Sequence, residues 1–433
     1  MPQPSTPRRL VRSKMTVVVG LFVIAIACTS WYSTSTGKRR LLGSATFSSK
    51  PAWRKPRTCP LEFRRQSYAD IRTFKKKPYL VGGNQEPTCN NCLVDDGLAG
   101  FCKRLTCPYP EQRNFLEHLI LRAELGAPGY EAMLTMNPCD WWPLLQNRTL
   151  WLVGDSLSQE FMKTFQCFMY EFWDLDMVDL KHRVVQTDLV RDKVRLGWCA
   201  NLLHGARICH HRVNDAPEYT AVLPYFYQGL TGKRTDIVMM NTGMWSNDVD
   251  TYTSRLGVFA QYYKLHKQEL PYFVWRDSSP QFFHTPTGDF DRSEHAVCQP
   301  IGFPNGGLTL DKNNVLVSDL ETSPHLQTVH EGGWRNQISR PVMQALGIPV
   351  IQTWNTSVPI WQYHKNAHDD PNHHDCTHWC HPSAYALWLY DSLVKLQELE
   401  GDIAKHISQM PSQQQLDVLD MKAGTEGIVV DPF

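Results

Sequence analysis

The chain has 433 residues, of which 42% are hydrophobic, 11% aromatic and 20% charged, a composition that excludes disordered, collagen-like and multi-span membrane proteins. Lysine and arginine number 44 against 43 aspartates and glutamates, a net charge of +1, so a broad basic surface for nucleic acid is not expected. The dense basic run Lys75-Lys76-Lys77, next to Pro78, reads as a solvated loop.

Residues 1–14 read as a cytoplasmic tail, because Arg8, Arg9, Arg12 and Lys14 precede an uncharged stretch of eighteen residues, MTVVVGLFVIAIACTSWY. That stretch, residues 15–32, suits a tilted or slightly short single-pass anchor with Trp31 and Tyr32 at the interface. The rival is a cleaved signal peptide ending at Ala25-Ile26-Ala27. Either one sends the rest of the chain into the secretory pathway. Residues 33–58, rich in Ser, Thr, Lys and Arg, read as a stem. Residues 59–145 read as a cysteine-rich N-terminal subdomain, 146–405 as the main body and 406–433 as a flexible tail.

Outside the apolar stretch, twelve cysteines (Cys59, Cys89, Cys92, Cys102, Cys107, Cys139, Cys167, Cys199, Cys209, Cys298, Cys376 and Cys380) fit a disulfide framework. Cys89-x-x-Cys92 with Cys102 and Cys107 leaves a zinc site open, although the second pair is widely spaced for a knuckle. The sequons at Asn147 and Asn355 are candidate glycosylation sites.

In the main body, the continuous apolar run Thr149–Val153 predicts a buried parallel strand. After Gly154-Asp155-Ser156, the residues Leu157, Phe161, Phe165, Phe168 and Met169 recur at helical spacing. Further strands are expected at Asp236–Met240, Tyr272–Trp275 and Ile348–Thr353, and helices around 256–265, 334–346 and 383–399. Pro341 should weaken the second of these helices. Strands alternating with helices predict an α/β fold: a parallel sheet flanked by helices in three layers, with a disulfide-rich N-terminal subdomain.

In such a sheet, ligands bind at the carboxyl ends of the strands. Ser156 follows a strand and opens a helix there, where backbone N–H groups can meet a developing oxyanion. A helix N-cap is the plainer reading of Asp155-Ser156. Asp375 lies three residues before His378, so its carboxylate can orient that imidazole if disulfides at Cys376 and Cys380 fix the loop. An exposed polar pair is the alternative. Asn241 and Gly243, after the second strand, are candidate oxyanion donors or an ordinary turn. His364, His368, His373, His374, His378 and His381 crowd one stretch with Asp369, Asp370 and Asp375, which leaves a metal-dependent esterase open; no metal is the expectation. Trp245, Trp275, Trp354, Trp361 and Trp379 could stack on sugars, in an enzyme's groove or in a glycan-binding protein without catalysis.

Gly154-Asp-Ser-Leu157 after a strand, Asn241-Thr-Gly-Met-Trp245, Arg276-Asp-Ser-Ser-Pro280 with Phe283 and Cys298, and Asp375-Cys-Thr-His-Trp-Cys-His-Pro382 resemble the PC-esterase branch of the GDSL/SGNH hydrolases. Within it, the sequence is similar to the trichome birefringence-like polysaccharide O-acetyltransferases over roughly residues 139–400. The resemblance implies a Golgi membrane protein with one N-terminal anchor and a lumenal catalytic domain. It also implies a triad of Ser156, His378 and Asp375, an oxyanion contribution from Asn241 and a place near the site for Arg276; Asp155, Trp245 and Trp379 are further candidates to shape the site. No bound cofactor is implied. An acetyl donor, acetyl-CoA or an acetylated carrier from a separate supplier, would be co-substrate, and a polysaccharide would be acceptor. The family's Gly-Arg-x-Asp and Trp-Arg-Trp signatures are not recognisable in residues 59–138, and Asn366–Asp370 follows its Asp-(Gly/Ala)-His-Pro run loosely, which leaves the acceptor open. A GDSL-type carbohydrate or lipid esterase is the runner-up.

Overall fold

The computed structural model describes residues 129–171, 186–191, 194–214, 218, 222–224, 226, 235–246, 248–290, 298–301, 309–310, 316–317, 328–365, 375–381 and 383–409, with Cys59 and Pro60. The proposed anchor, the stem, Cys89, Cys92, Cys102, Cys107, residues 366–374 and everything after Gln409 lie outside them. Among the described residues no helix is long and apolar enough to cross a membrane.

Period-two alternation on strands buried from both sides organises the fold. The strands are β1 (Thr149–Gly154), β2 (Gln186–Arg191), β3 (Val194–Asn201), β4 (Arg207–Arg212), β5 (Ile237–Met240), β6 (Tyr272–Arg276) and β9 (Val350–Ile351), in the order β2-β3-β4-β1-β5-β6-β9. β3 is antiparallel to both its neighbours, and every other pairing in this sheet is parallel. A separate two-stranded ribbon pairs β7 (Thr309–Leu310) with β8 (Leu316–Val317).

Leu150, Leu152, Ile237, Met239 and Val274 face one way. They are covered by α1 (Tyr130–Thr135), α2 (Pro138–Leu145), α3 (Ser156–Glu171), α7 (Ser383–Glu398) and α8 (Glu400–Gln409). Trp151, Val153, Val238, Met240, Phe273 and Trp275 face the other way, against α4 (Val249–His266) and α5 (Gly333–Leu346). A further short helix, α6, spans Trp354–Ser357. The outcome is the expected three-layer α/β arrangement.

Three boundaries differ from expectation. Tyr130, Met133, Trp141, Trp142, Leu144 and Leu145 are buried in the same core as the sheet, so the main body begins before residue 146. The closing helix is two helices. The second continues to Gln409, with Ile403 buried and the His406 ring donating to the Leu270 carbonyl at 3.0 Å, so residues 406–409 belong to the fold rather than to a tail. Helix α5 runs through Pro341, because Met343 and Leu346 are buried against the sheet while Arg335, Asn336 and Arg340 anchor it by hydrogen bonds. Tertiary packing here outweighs the cost of a missing N–H.

All eight described cysteines are disulfide-bonded. Cys59 joins Cys139, Cys199 joins Cys209 across β3 and β4, and Cys298 joins Cys376. Cys376 and Cys380 both being bonded gives the Asp375–His381 loop the covalent fixing that its sequence suggested.

Gly154 closes β1 against two neighbours. A Cβ there would lie 2.4 Å from Ser158 Oγ and 2.6 Å from the Asn241 carbonyl oxygen, and the latter is backbone that cannot swing aside. Glycine is required by close approach. Gly154→Ala is expected to destabilise the chain by about 1–3 kcal/mol, the usual cost of overpacking, measured by urea unfolding. An unchanged midpoint would show that the turn relaxes freely.

Candidate active site

Helix α3 begins at the carboxyl end of the central strand because Asp155 caps it. Asp155 Oδ1 accepts from the Leu157 N–H at 2.9 Å, and the Asp155 carbonyl accepts from the Gln159 N–H at 3.1 Å. Asp155, rather than Ser156, is thus the capping residue. The same cap sets Ser156 at the first helical position, partly exposed, with its hydroxyl at the sheet edge.

Ser156 Oγ lies 2.7 Å from His378 Nε2. The imidazole Nδ1 lies 2.9 Å from both oxygens of Asp375, so Nδ1–H donates to the carboxylate and the Nε2 lone pair faces the hydroxyl. Asp375 also accepts from the His378 N–H at 2.8 Å and the Thr377 N–H at 3.2 Å. Burial pushes the Asp375 pKa up, but the hydrogen bond and charge of His378 outweigh it and leave the carboxyl at about 2. The side chains of His378 and Asp375 stay 24% and 31% exposed, which leaves the dyad reachable from solvent. Chemically, the arrangement can draw a proton from Ser156 onto His378 while Asp375 holds the cation that forms.

The loop carrying His378 is tied down on one side by residues that the sequence placed in a metal cluster or on a sugar. His364 Nδ1–H donates to the His378 carbonyl at 3.0 Å, and its ring lies on Trp379 with centroids 3.8 Å apart. Trp379 is wholly buried and also meets Phe282 edge-on, so it shapes the site from behind and does not offer a stacking face to substrate. The Lys365 N–H donates to the His378 carbonyl at 3.0 Å, and the Cys380 N–H to the Tyr363 carbonyl at 2.8 Å. Gln281 Nε2 donates to Thr377 Oγ1 at 2.9 Å. Among the described residues no group of three His, Cys, Asp or Glu side chains could hold a metal. His368, Asp369, Asp370, His373 and His374 lie outside them.

Beneath Ser156 sits a layer of buried charge. Arg276 is 1% exposed. Its guanidinium donates to Ser158 Oγ at 3.3 Å and to the Asp277 carbonyl at 3.1 Å, and lies 4.3 Å over the Trp388 ring. Burial raises the Asp155 pKa, and the charge of Arg276 opposes that rise. Asp277 is likewise raised by burial and pulled down by Arg340, whose Nη2 is 2.6 Å from Oδ2. The Arg276–Ser279 stretch is therefore structural, and Asn336 clasps both the N–H and the carbonyl of Ser278 at 2.8 Å.

The oxyanion expectation needs correction at Asn241. Its Nδ2 donates to the Arg276 carbonyl at 2.9 Å and reaches Ser278 Oγ at 3.5 Å, while the residue is 1% exposed. Its amide hydrogens tie the turn after β5 to the end of β6 and are engaged there. Gly243 stands at φ 125°, with the Tyr252 ring 3.1 Å from where a Cβ would be, so glycine is needed there on both grounds. Arg335, which the sequence did not single out, grips this loop from α5. It donates to the Gly243 carbonyl at 2.8 Å and the Ser246 carbonyl at 3.0 Å, and pairs with Asp289. Between those two carbonyls Trp245 projects, 58% exposed. Trp275 and Trp354 are buried and Trp361 half-buried, so of the five candidate stacking tryptophans Trp245 presents the open ring.

Asn147 lies exposed at φ 58° in the turn before β1, at the opposite end of the sheet from Ser156. Asn355 is half-buried in α6, where the sequon hydroxyl of Thr356 is bonded to Asp391 Oδ2 at 2.9 Å.

His364 supplies a pH test of this packing. Burial lowers its pKa to about 3, so between the ordinary value of 6.5 and about 3 the unfolded chain takes up a proton that the folded chain refuses. Its contribution to stability is thus present above pH 6.5 and is lost as pH falls through that window. His364→Asn keeps a donor toward the His378 carbonyl and removes the titration. The wild-type-minus-variant stability difference is expected to shrink on acidification from pH 6.5 to 4 by up to about 1.4 kcal/mol per pH unit, read from urea midpoints. Parallel pH profiles would show that His364 is not held neutral.

No protein-family model matches the chain, and no curated protein matches it. Among solved structures, a GDSL-like lipase from Parabacteroides merdae ATCC 43184 is similar at 10% identity, covering 58% of this chain and 98% of its own, with a TM-score of 0.30.

Proposed function

We propose that the chain is a serine acyltransferase that moves an acetyl group through acyl-Ser156 onto hydroxyls of a polysaccharide. The observation that carries this reading is the 2.7 Å contact of Ser156 Oγ with His378 Nε2, backed by Asp375 on Nδ1. Ser156 Oγ attacks the acetyl carbonyl carbon as its proton passes to His378. The donor's leaving group departs with that proton. A sugar hydroxyl then gives its proton to His378 and attacks the acyl-serine carbonyl; the bond from that carbon to Ser156 Oγ breaks, His378 returns the proton to Oγ, and the sugar leaves as an acetyl ester. The N–H groups of Ser156 and Gly243 are the donors assigned to the oxyanion.

Two features support the finer parts of the reading. Trp245 offers an aromatic face on the loop that follows β5, the strand next to the one that delivers Ser156, as a sugar acceptor requires. Eight disulfide-bonded cysteines suit an oxidising compartment, which agrees with a Golgi lumenal domain on a single-pass anchor. A hydrolase is the second reading, favoured by the exposure of His378 and Asp375, which leaves an acyl-serine open to water. A glycan-binding protein without catalysis leaves the Ser156–His378–Asp375 geometry unexplained.

Incubating the full-length chain with 4-nitrophenyl acetate should place one acetyl group on the Ser156 peptide by mass spectrometry, and Ser156→Ala should abolish it. Label retained in that variant would sink the assignment. Asp375→Asn should lower turnover by up to about 10⁴-fold, and near-normal turnover would remove Asp375 from the mechanism. Adding a panel of neutral and acidic oligosaccharides separates the readings: acetylated sugar is expected, and free acetate alone would establish the hydrolase.

A further inference from the structure

The nucleophile's helix and the base's loop meet at a second point. Glu160 and Thr164 lie four and eight residues after Ser156, on the same stripe of α3. His381 lies three residues after His378 on the loop. His381 Nε2 is 2.7 Å from Glu160 Oε2, and His381 Nδ1 is 2.6 Å from Thr164 Oγ1. Nε2–H donates to the carboxylate, and the threonine hydroxyl donates to the opposite nitrogen. The ring is 3% exposed and lies against Tyr385 with centroids 4.8 Å apart, so its plane is fixed on three sides.

We propose that His381, held between Glu160 and Thr164, is a positioning residue that keeps His378 Nε2 within reach of Ser156 Oγ. This rests on the acyl-serine reading above. Several other contacts of the loop run elsewhere. Cys376 is bonded to Cys298 and its carbonyl receives the Phe282 N–H, while the His378 carbonyl and the Cys380 N–H meet residues 363–365. His381 joins the loop to the helix that carries the nucleophile. A displacement of about 1 Å at such a contact can cost roughly 10²-fold in rate.

The electrostatics suit a fixed neutral ring. Glu160 is held well below the usual carboxylate range: burial opposes this, but the His381 hydrogen bond, Lys365 at 3.7 Å and Lys163 at 2.6 Å prevail. Burial lowers His381 to about 4, so near neutrality a single tautomer faces an ionised Glu160. His378 uses the opposite tautomer, with Nδ1 protonated. Three residues apart, the two rings are locked in complementary forms, one to take a proton and one to take none.

The test measures acetylation of full-length chain by 4-nitrophenyl acetate, with folding checked by thermal unfolding. His381→Leu is expected to lower kcat about 10²-fold at unchanged KM. His381→Gln, whose amide can restore a donor to Glu160, is expected to recover most of that loss. Thr164→Val loses one hydrogen bond at nearly constant volume, should lower kcat several-fold, and carries the test if His381→Leu does not fold. Folded variants with wild-type kcat, or a change confined to KM, would overturn the proposal. If the wild type shows no label on Ser156, the acyl-serine reading fails and takes this inference with it. Labelled wild type with equally labelled variants rejects the positioning role alone.

Discussion

Ser156 and His378 are separated by 222 positions, and one hydrogen bond between them gives the site its meaning. A bond that long-range exists because two supports converge. The first is β1, central in the sheet and buried along its whole length, which delivers Ser156 to the carboxyl edge. The second is a short loop with little regular structure of its own. Disulfides, an isolated bridge between His364 and Trp379, and the His381 contact supply the rigidity that a strand or helix would otherwise give. Precision at the serine thus comes from the sheet, and precision at the imidazole from cross-links.

Charge buried under the site follows a consistent pattern. Asp155 faces Arg276, Asp277 faces Arg340, and Asp289 faces Arg335. Each arginine also donates to backbone carbonyls or hydroxyls, so its charge is distributed over several partners. Burying one ion is costly, and each pair offsets that cost while fixing a turn at the sheet edge. Removing one partner would leave the other uncompensated, which is why these residues read as architecture.

Much of this was legible in the sequence where hydrophobic runs were continuous. Thr149–Val153, Asp236–Met240 and Tyr272–Trp275 gave three strands because both of their faces are buried. Strands β2, β3 and β4 escaped because segments such as Arg207-Ile-Cys-His-His-Arg212 lack an apolar run; His210 is nonetheless buried. The helices before residue 146 escaped too, since a cysteine-rich composition concealed a capped helix begun by Asn137 and Pro138. At the site, Ser156, Asp375 and His378 were found from local motifs, since each sits at a recognisable chemical position. The roles of Asn241, Arg276 and Trp379 depended on which way a side chain turns, and spacing carries no information about that. Glu160 and His381 had a faint signal, one helical turn beyond Ser156 and one loop step beyond His378, but only the fold brings them together.

The cross-links around Cys376 and Cys380 have one more consequence. The sheet's ladder is made of main-chain bonds that form in any redox setting, whereas the segment bearing His378 is also secured covalently. Reducing those bonds is expected to loosen the segment that carries His378 more than the sheet. The placement of His378 is thereby coupled to the redox state of its surroundings in a way that the sheet is not.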